Sequence, residues 1–159
     1  MSPSDSSGAA AAGLDWLVEA QHPDGSFPGY SSQLNGDRVW APDSLNFITA
    51  LTALGLDGVS GDAAAELRAR AGSYLMSQRE PRDLWRYWSA DSPLHDYTPI
   101  DADDTACCSM ATGLTASRNV DLLLANRAPD GRFYTWLLWR PGGTSLRYRL
   151  ALREERTAE

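Results

Sequence analysis

The stretch Pro23-Asp24-Gly25-Ser26-Phe27 recurs with one change, as Pro129-Asp130-Gly131-Arg132-Phe133, and this repetition indicates how the chain folds. An apolar pattern with helical spacing precedes each copy, at residues 13–21 and 120–127. Proline ends a helix because it lacks a backbone donor, and Asp-Gly forms a tight turn because glycine accepts positive φ. The repetition therefore predicts one structural unit, a helix followed by a turn and an aromatic residue, that recurs along the chain.

A weaker copy of the unit lies between these two. Residues 79–85 read Arg-Glu-Pro-Arg-Asp-Leu-Trp and follow a helical pattern at 62–78. This copy keeps the proline and the final aromatic residue but lacks the glycine. A second helix is predicted after each of the first two turns, at 43–55 and 103–113, because each segment starts with Asp and ends with Gly. The sequence pattern at residues 144–155 predicts a final helix or a short strand.

Helix pairs that recur with a period of about fifty residues are typical of helical repeat proteins, in which stacked pairs share a core. We therefore expect an all-α fold of α/α helical hairpins with little or no sheet. The predicted domain covers residues 13–152, between a flexible leader rich in Ser, Gly and Ala at 1–12 and a polar tail at 153–159. The length of 159 residues suits a single domain.

The composition excludes several classes of function. A net charge of −7 argues against a protein that neutralises nucleic-acid phosphates. All 14 basic residues are arginine, so no lysine can form a Schiff base or serve a P-loop. The two cysteines, Cys107 and Cys108, are adjacent and indicate no disulfide framework. No apolar run is long enough to span a bilayer, and we expect a cytoplasmic protein, at most peripheral to a membrane.

Three carboxylates crowd the predicted start of the helix at 103–113, in the sequence Asp101-Ala102-Asp103-Asp104-Thr105-Ala106. One Asp suits a helix cap, but three repel one another and capping does not require them. Crowded carboxylates raise one another's pKa, so that one can stay protonated at neutral pH and act as an acid. The same three can instead bind a hard cation such as Mg²⁺. The residues alone leave capping, acid catalysis and cation binding open.

This motif resembles the DxDD(T) motif of class II terpene cyclases, the superfamily that includes squalene–hopene cyclases and diterpene cyclases. The repeated turns resemble the QW-type repeats of the same superfamily, most clearly in Gln21 with residues 24–27 and in residues 130–133 with Trp136. The resemblance covers residues 13–139. It implies a partial, half α/α barrel of the terpenoid cyclase type, whereas active members of the family carry two barrels.

The resemblance also implies a reaction that starts with protonation of an alkene or epoxide in an isoprenoid or polyprenyl substrate. Asp103 would donate the proton, while Asp101 and Asp104 would tune and orient it. Aromatic faces would then stabilise the carbocations. No metal ionises the substrate in this class, so no cofactor is expected beyond Mg²⁺ brought by a substrate diphosphate.

Aromatic residues around the motif are expected to bind the substrate. They are Trp85, Trp88, Tyr97, Trp40 and Trp136. The alternative for each is packing between helices, which is the usual role of large aromatic side chains. His95 lies in the loop before the motif, where it can bind substrate or form a hydrogen bond with Asp101 or Asp103. A loop histidine is more often simply exposed.

Half a barrel would leave an apolar face uncovered, so the expected partner is a second copy of the chain or another barrel-forming protein. The leading hypothesis is a terpene cyclase-like enzyme. The competing hypothesis is a non-catalytic half-barrel, either an accessory or apolar-ligand-binding subunit or a fragment of a larger cyclase. A third hypothesis places magnesium or diphosphate at Asp101, Asp103 and Asp104.

Overall fold

Helices dominate the part of the chain that the structure describes. The computed structural model describes residues 3–32, 40–114 and 117–137. The helices within these ranges are α1 (Pro3–Ala20), α2 (Asn46–Gly55), α3 (Asp62–Ser77), α4 (Ala102–Thr112) and α5 (Ser117–Ala125). Strands β1 (Tyr30–Ser32) and β2 (Trp40–Pro42) pair antiparallel, and a 3₁₀ turn covers His95–Tyr97. The prediction of a mostly helical chain is confirmed, and the one small sheet among the described residues agrees with the expectation of little or no sheet.

The two copies of the repeated turn have the same backbone geometry. The amide of His22 donates to the carbonyl of Ser26 at 2.9 Å, and the amide of Ala128 donates to the carbonyl of Arg132 at 2.7 Å. The glycine inside each turn has positive φ, 95° in the first copy and 93° in the second. Other residues rarely adopt this conformation, so the glycine explains why both turns close in the same way.

The middle copy closes the same turn without a glycine. The amide of Glu80 donates to the carbonyl of Leu84 at 2.8 Å, again four residues further along the chain. Positive φ falls here on Arg82 (74°) and Asp83 (60°). Such angles are uncommon for residues other than glycine. The structure therefore confirms three copies of one turn, of which the middle copy is the most strained.

The residue after each of the first two turns is tied to the helix that follows. The amide of Phe27 donates to Oγ1 of Thr49 on α2 at 2.9 Å, and the amide of Trp85 donates to Oγ1 of Thr105 on α4 at 3.1 Å. These matching bonds make α2 and α4 equivalent elements of two repeats. The two helices pack against each other, and α3 contacts both of them. Equivalent neighbouring helices are the arrangement expected of stacked α/α hairpins.

Antiparallel backbone pairing lies between the turn and the helix in both repeats. In the first repeat Tyr30 pairs with Pro42, and in the second Arg86 pairs with Ile100. The third turn continues the pattern, because the amide of Leu137 donates to the carbonyl of Ile100 at 2.9 Å. These pairings were not predicted, and they bring the residues after the third turn beside the start of α4.

Several element boundaries differ from the predictions. Helix α1 begins at Pro3, so it includes residues 3–12, which were predicted to be part of a flexible leader. Proline is favoured in a first turn, and the alanines at 9–12 are the strongest helix formers. Helix α2 begins at Asn46 rather than at Asp43, whose carboxylate instead accepts the Tyr87 hydroxyl at 2.7 Å. The predicted element at 144–155 and the tail at 153–159 lie outside the described residues.

Candidate functional site

The first member of the acidic motif caps α4. Asp101 is the N-cap residue with an extended backbone, and its carboxylate accepts from the amides of Asp103 at 3.0 Å and Asp104 at 3.4 Å. Its own amide donates to the carbonyl of Trp85 at 3.1 Å, which fixes the start of the helix against the preceding turn. One aspartate therefore meets the capping requirement of the helix, and the other two need a different explanation.

The first repeat shows that the fold does not require acidic residues here. Counting back from Thr49 and Thr105, the positions of the three aspartates correspond in α2 to Leu45, Phe47 and Ile48. Leu45 is the N-cap of α2, as Asp101 is of α4, and it makes no side-chain cap. The same helix start thus forms from apolar residues, so the acidic cluster of the second repeat is an addition to the architecture.

Two of the three carboxylates are buried, and the third reaches the surface. Asp101 is 6% exposed and Asp104 is 1% exposed, whereas Asp103 is exposed. One oxygen from each carboxylate lies within 4.8 Å of the others. The ion pairs found among the described residues involve other acidic groups, and Oδ1 of Asp104 is buried without a hydrogen-bond partner. Such a cluster needs a bound proton or cation to offset its charge.

Burial shifts the cluster towards its protonated form. Burial raises the pKa of Asp101 to about 9, assisted by a side-chain hydrogen bond with Asp103 and by the charges of Asp104 and Asp103. The backbone amide of Asp104 lowers the pKa of Asp101 but does not outweigh these effects. Burial followed by the charge of Asp103 raises the pKa of Asp104 to about 7. Asp101 therefore holds a proton at neutral pH and shares a hydrogen bond with Asp103.

Asp103 also borders an apolar cavity of about 350 Å³. The lining residues are Ala102, Asp103, Ala106, Leu123, Phe133, Tyr134 and Thr135. Asp103 is the one carboxylate in this set, and no basic residue belongs to it. The cluster thus places an acidic group, linked to a buried proton, at the edge of a space suited to a hydrocarbon.

Two aromatic residues in this lining, Phe133 and Tyr134, are not among the predicted substrate-binding residues. They directly follow the glycine and arginine of the third turn. The available signal was the repetition itself, because stacked repeats place the residues after one turn beside the helix of the preceding repeat. The amide of Ala102 donates to the carbonyl of Thr135 at 2.7 Å, which holds this segment against α4.

The tryptophans predicted from the preceding loop do not line this cavity. Trp85 is fully buried, and its Nε1 donates to the carbonyl of Leu75 at 2.8 Å, so its role is core packing. Trp88 is half-buried and contacts the Tyr87 ring edge to face, with 5.1 Å between the ring centroids. For Trp85 the alternative of helix packing is therefore the better description.

The other predicted substrate-binding residues also lie outside the cavity lining. Trp40 and Tyr97 are each 63% exposed. Trp136 is half-buried, and its backbone pairs with that of Asp101.

His95 does not hydrogen-bond the acidic cluster. Its Nδ1 lies 3.2 Å from the carboxylate of Asp96, and its Nε2 lies 3.4 Å from the carboxylate of Glu80. Glu80 also accepts from Nε of Arg86 at 2.9 Å. The alternative of a hydrogen bond to Asp101 or Asp103 is therefore not realised, because the carboxylates of Asp96 and Glu80 lie next to the two ring nitrogens.

The cluster also has the donor set of a cation site. Three carboxylates with oxygens this close offer the hard ligands that Mg²⁺ and Ca²⁺ prefer, and Asp104 has a free buried oxygen. Asp101, Asp103 and Asp104 are the residues that would hold such an ion. The geometry is thus compatible with a proton or with a cation.

Comparison with protein-family models gives no match, and comparisons with curated proteins and with solved structures give none either. Within the described ranges, no helix is both long and apolar enough to cross a membrane. The resemblance to class II terpene cyclases therefore depends on the acidic motif and the repeated turn.

Proposed function

We propose that this chain is a terpene cyclase-like protein, built as half of an α/α barrel, that starts cyclisation of an isoprenoid by protonating an alkene or an epoxide. The observation that carries the proposal is the buried, protonated Asp101, which is hydrogen-bonded to Asp103 at the edge of an apolar cavity. The first repeat makes the same helix start without acids, so a structural explanation of the cluster is insufficient.

In this proposal Asp101 stores the proton and Asp103 delivers it. Asp101 is buried and protonated at neutral pH, and its carboxyl is hydrogen-bonded to that of Asp103, which borders the cavity. The proton forms a new C–H bond at one alkene carbon, the electron pair of the double bond is consumed, and the neighbouring carbon becomes cationic. The proton that Asp103 delivers comes from Asp101, so both are left as carboxylates, and the proton released in the last step, or one from water, restores Asp101.

In this proposal the carbocation is stabilised by aromatic residues that border the cavity, and not by the tryptophans predicted from the sequence. The faces of Phe133 and Tyr134 are suited to stabilise a cation formed next to Asp103. The reaction ends when the cation loses a proton or captures water. A diphosphate carried by the substrate stays outside the cavity, because the part of the lining that the structure describes contains no basic residue.

The test is a product assay with Asp103→Asn beside Asp62→Asn, an exposed acid in the first turn of α3. Purified proteins are incubated with farnesyl, geranylgeranyl and squalene-type substrates, and extracts are analysed by gas chromatography–mass spectrometry. Wild type and Asp62→Asn should give the same cyclic product, and Asp103→Asn should give none while remaining folded. A product that persists in folded Asp103→Asn would refute the role of Asp103.

The cavity also favours a second candidate, an accessory subunit that binds an apolar ligand without chemistry. Both candidates require the apolar lining, but only the enzyme requires the proton. Equal ligand binding by wild type and Asp103→Asn, with no product from either, would select the binding subunit.

We further propose that a second copy or another barrel-forming protein completes the barrel by packing on the apolar face that half a barrel leaves uncovered. Light scattering with and without a bound isoprenoid tests this point. A mass that doubles with ligand supports completion by a second copy, and an unchanged monomer that forms product would refute it.

A further inference from the structure

The cavity beside Asp103 has a wall of small side chains on one helix. Ala102 and Ala106 are four residues apart on α4, so they lie on the same face of the helix, next to Asp103. Ala102 is buried and Ala106 is half-buried. Larger side chains at these two positions would occupy space that is now open. The volume of the cavity thus depends on the identity of two alanines.

The volume limits how much hydrocarbon can enter. An apolar cavity of about 150 Å³ accommodates benzene. Because benzene has six heavy atoms, this is about 25 Å³ of cavity volume for each heavy atom of the ligand. By the same ratio, the cavity of about 350 Å³ accommodates about 14 heavy atoms. A chain of two isoprene units fits completely, a chain of three units just fills the space, and a chain of four units exceeds it.

We propose that this cavity selects its ligand by length, admitting the end of a neutral isoprenoid chain of about ten to fifteen carbons, and that Ala106 sets this limit. The isoprenoid identity of the ligand rests on the proposed function, whereas the length limit rests on the cavity. Ala106→Leu adds three heavy atoms and removes about 75 Å³, which lowers the limit to about eleven heavy atoms. Ala106 is therefore a specificity-determining residue rather than a catalytic one.

Binding of a graded series of alcohols to the full chain tests the limit without requiring turnover. The probes are prenol, geraniol, farnesol and geranylgeraniol, with affinities measured by calorimetry below their aggregation concentrations. Each fully buried CH₂ strengthens binding by about fourfold, so affinity should rise at least tenfold at each step up to farnesol. The step from farnesol to geranylgeraniol should change it by less than about threefold, because the added unit stays in water.

Ala106→Leu should weaken farnesol binding by about tenfold or more and geraniol binding by less than about threefold. Ala69→Leu, on an exposed face of α3, is the matched control and should leave the whole series unchanged. Three results would overturn the inference. They are an affinity that keeps rising as far as geranylgeraniol, no binding of any alcohol, and equal changes in affinity caused by Ala106→Leu and Ala69→Leu. A length limit in a protein that forms no cyclic product would refute the proposed enzyme alone, and product formation without a limit would refute this inference alone.

Discussion

Replacing Asp101 by Asn should change how the stability of this protein depends on pH. Asn is as good a helix cap as Asp, and its side chain can still hydrogen-bond the carboxylate of Asp103. The variant thus keeps the structural role of Asp101 at the start of α4 and removes only its titration. Because Asp101 is 6% exposed, solvent screens this titration little.

The sign and size of the effect follow from the two states of the chain. In the unfolded chain an aspartate loses its proton near pH 3.9, whereas folded Asp101 keeps its proton up to about pH 9. Between these values the folded state binds one more proton, so the free energy of unfolding falls by about 1.4 kcal/mol for each pH unit. The stabilisation is complete below the unfolded pKa and disappears as the pH rises through about 9. The pKa of folded Asp104 is also raised, to about 7, so its titration lowers the free energy of unfolding as the pH rises towards that value.

The assay is urea unfolding of wild type and Asp101→Asn between pH 5 and pH 8. Over these three units, the stability of the variant should rise relative to wild type by about 4 kcal/mol. Asp62→Asn, at the exposed start of α3, is the control and should run parallel to wild type. Parallel curves for wild type and Asp101→Asn would show that the pKa of folded Asp101 is not raised, and they would contradict its role as a proton store.

Three further results are expected. Thr105→Val leaves the buried Trp85 amide without its acceptor and should lower the free energy of unfolding by about 1–3 kcal/mol, measured by urea; no loss would contradict the tie between turn and helix. Gly25→Ala and Gly131→Ala each place an alanine at positive φ, which costs about 1–3 kcal/mol. At Gly25 the added Cβ would also lie 2.3 Å from the backbone carbonyl oxygen of Arg70. Gly25→Ala should therefore lower the melting temperature further than Gly131→Ala, and the reverse order would contradict the packing. Millimolar Mg²⁺ should leave the melting temperature unchanged at pH 7, because the cluster holds a proton; a clear rise would favour the cation site instead.

The elements that could be predicted are those encoded locally. The Pro-Asp-Gly turns were predictable because proline and glycine act on the backbone at their own positions. The start of α3 at Asp62 was predicted for a similar reason. The start of α2 was placed three residues too early because Asp43 bonds Tyr87 instead of capping the helix, a contact between residues far apart in sequence.

The acidic part of the site was predictable and the aromatic part was not. Asp101, Asp103 and Asp104 are neighbours in sequence, so any helix start brings them together. Which aromatic rings border the cavity depends on how the third turn packs against α4. Trp85 was predicted to bind substrate, but its indole N–H finds a partner in the Leu75 carbonyl and the ring is buried in the core. Phe133 borders the cavity because of long-range pairing that the local pattern does not specify.

The most direct test of Asp103 as the residue that protonates the substrate is a reaction in D₂O. If Asp103 delivers an acidic proton that exchanges with solvent, each molecule of cyclic product should carry deuterium at the carbon protonated in the first step, read by gas chromatography–mass spectrometry. Asp103→Asn should form no product under the same conditions. A labelled product that depends on Asp103 would establish proton-initiated cyclisation. A cyclic product without deuterium, or no product from folded wild type that binds farnesol, would contradict it.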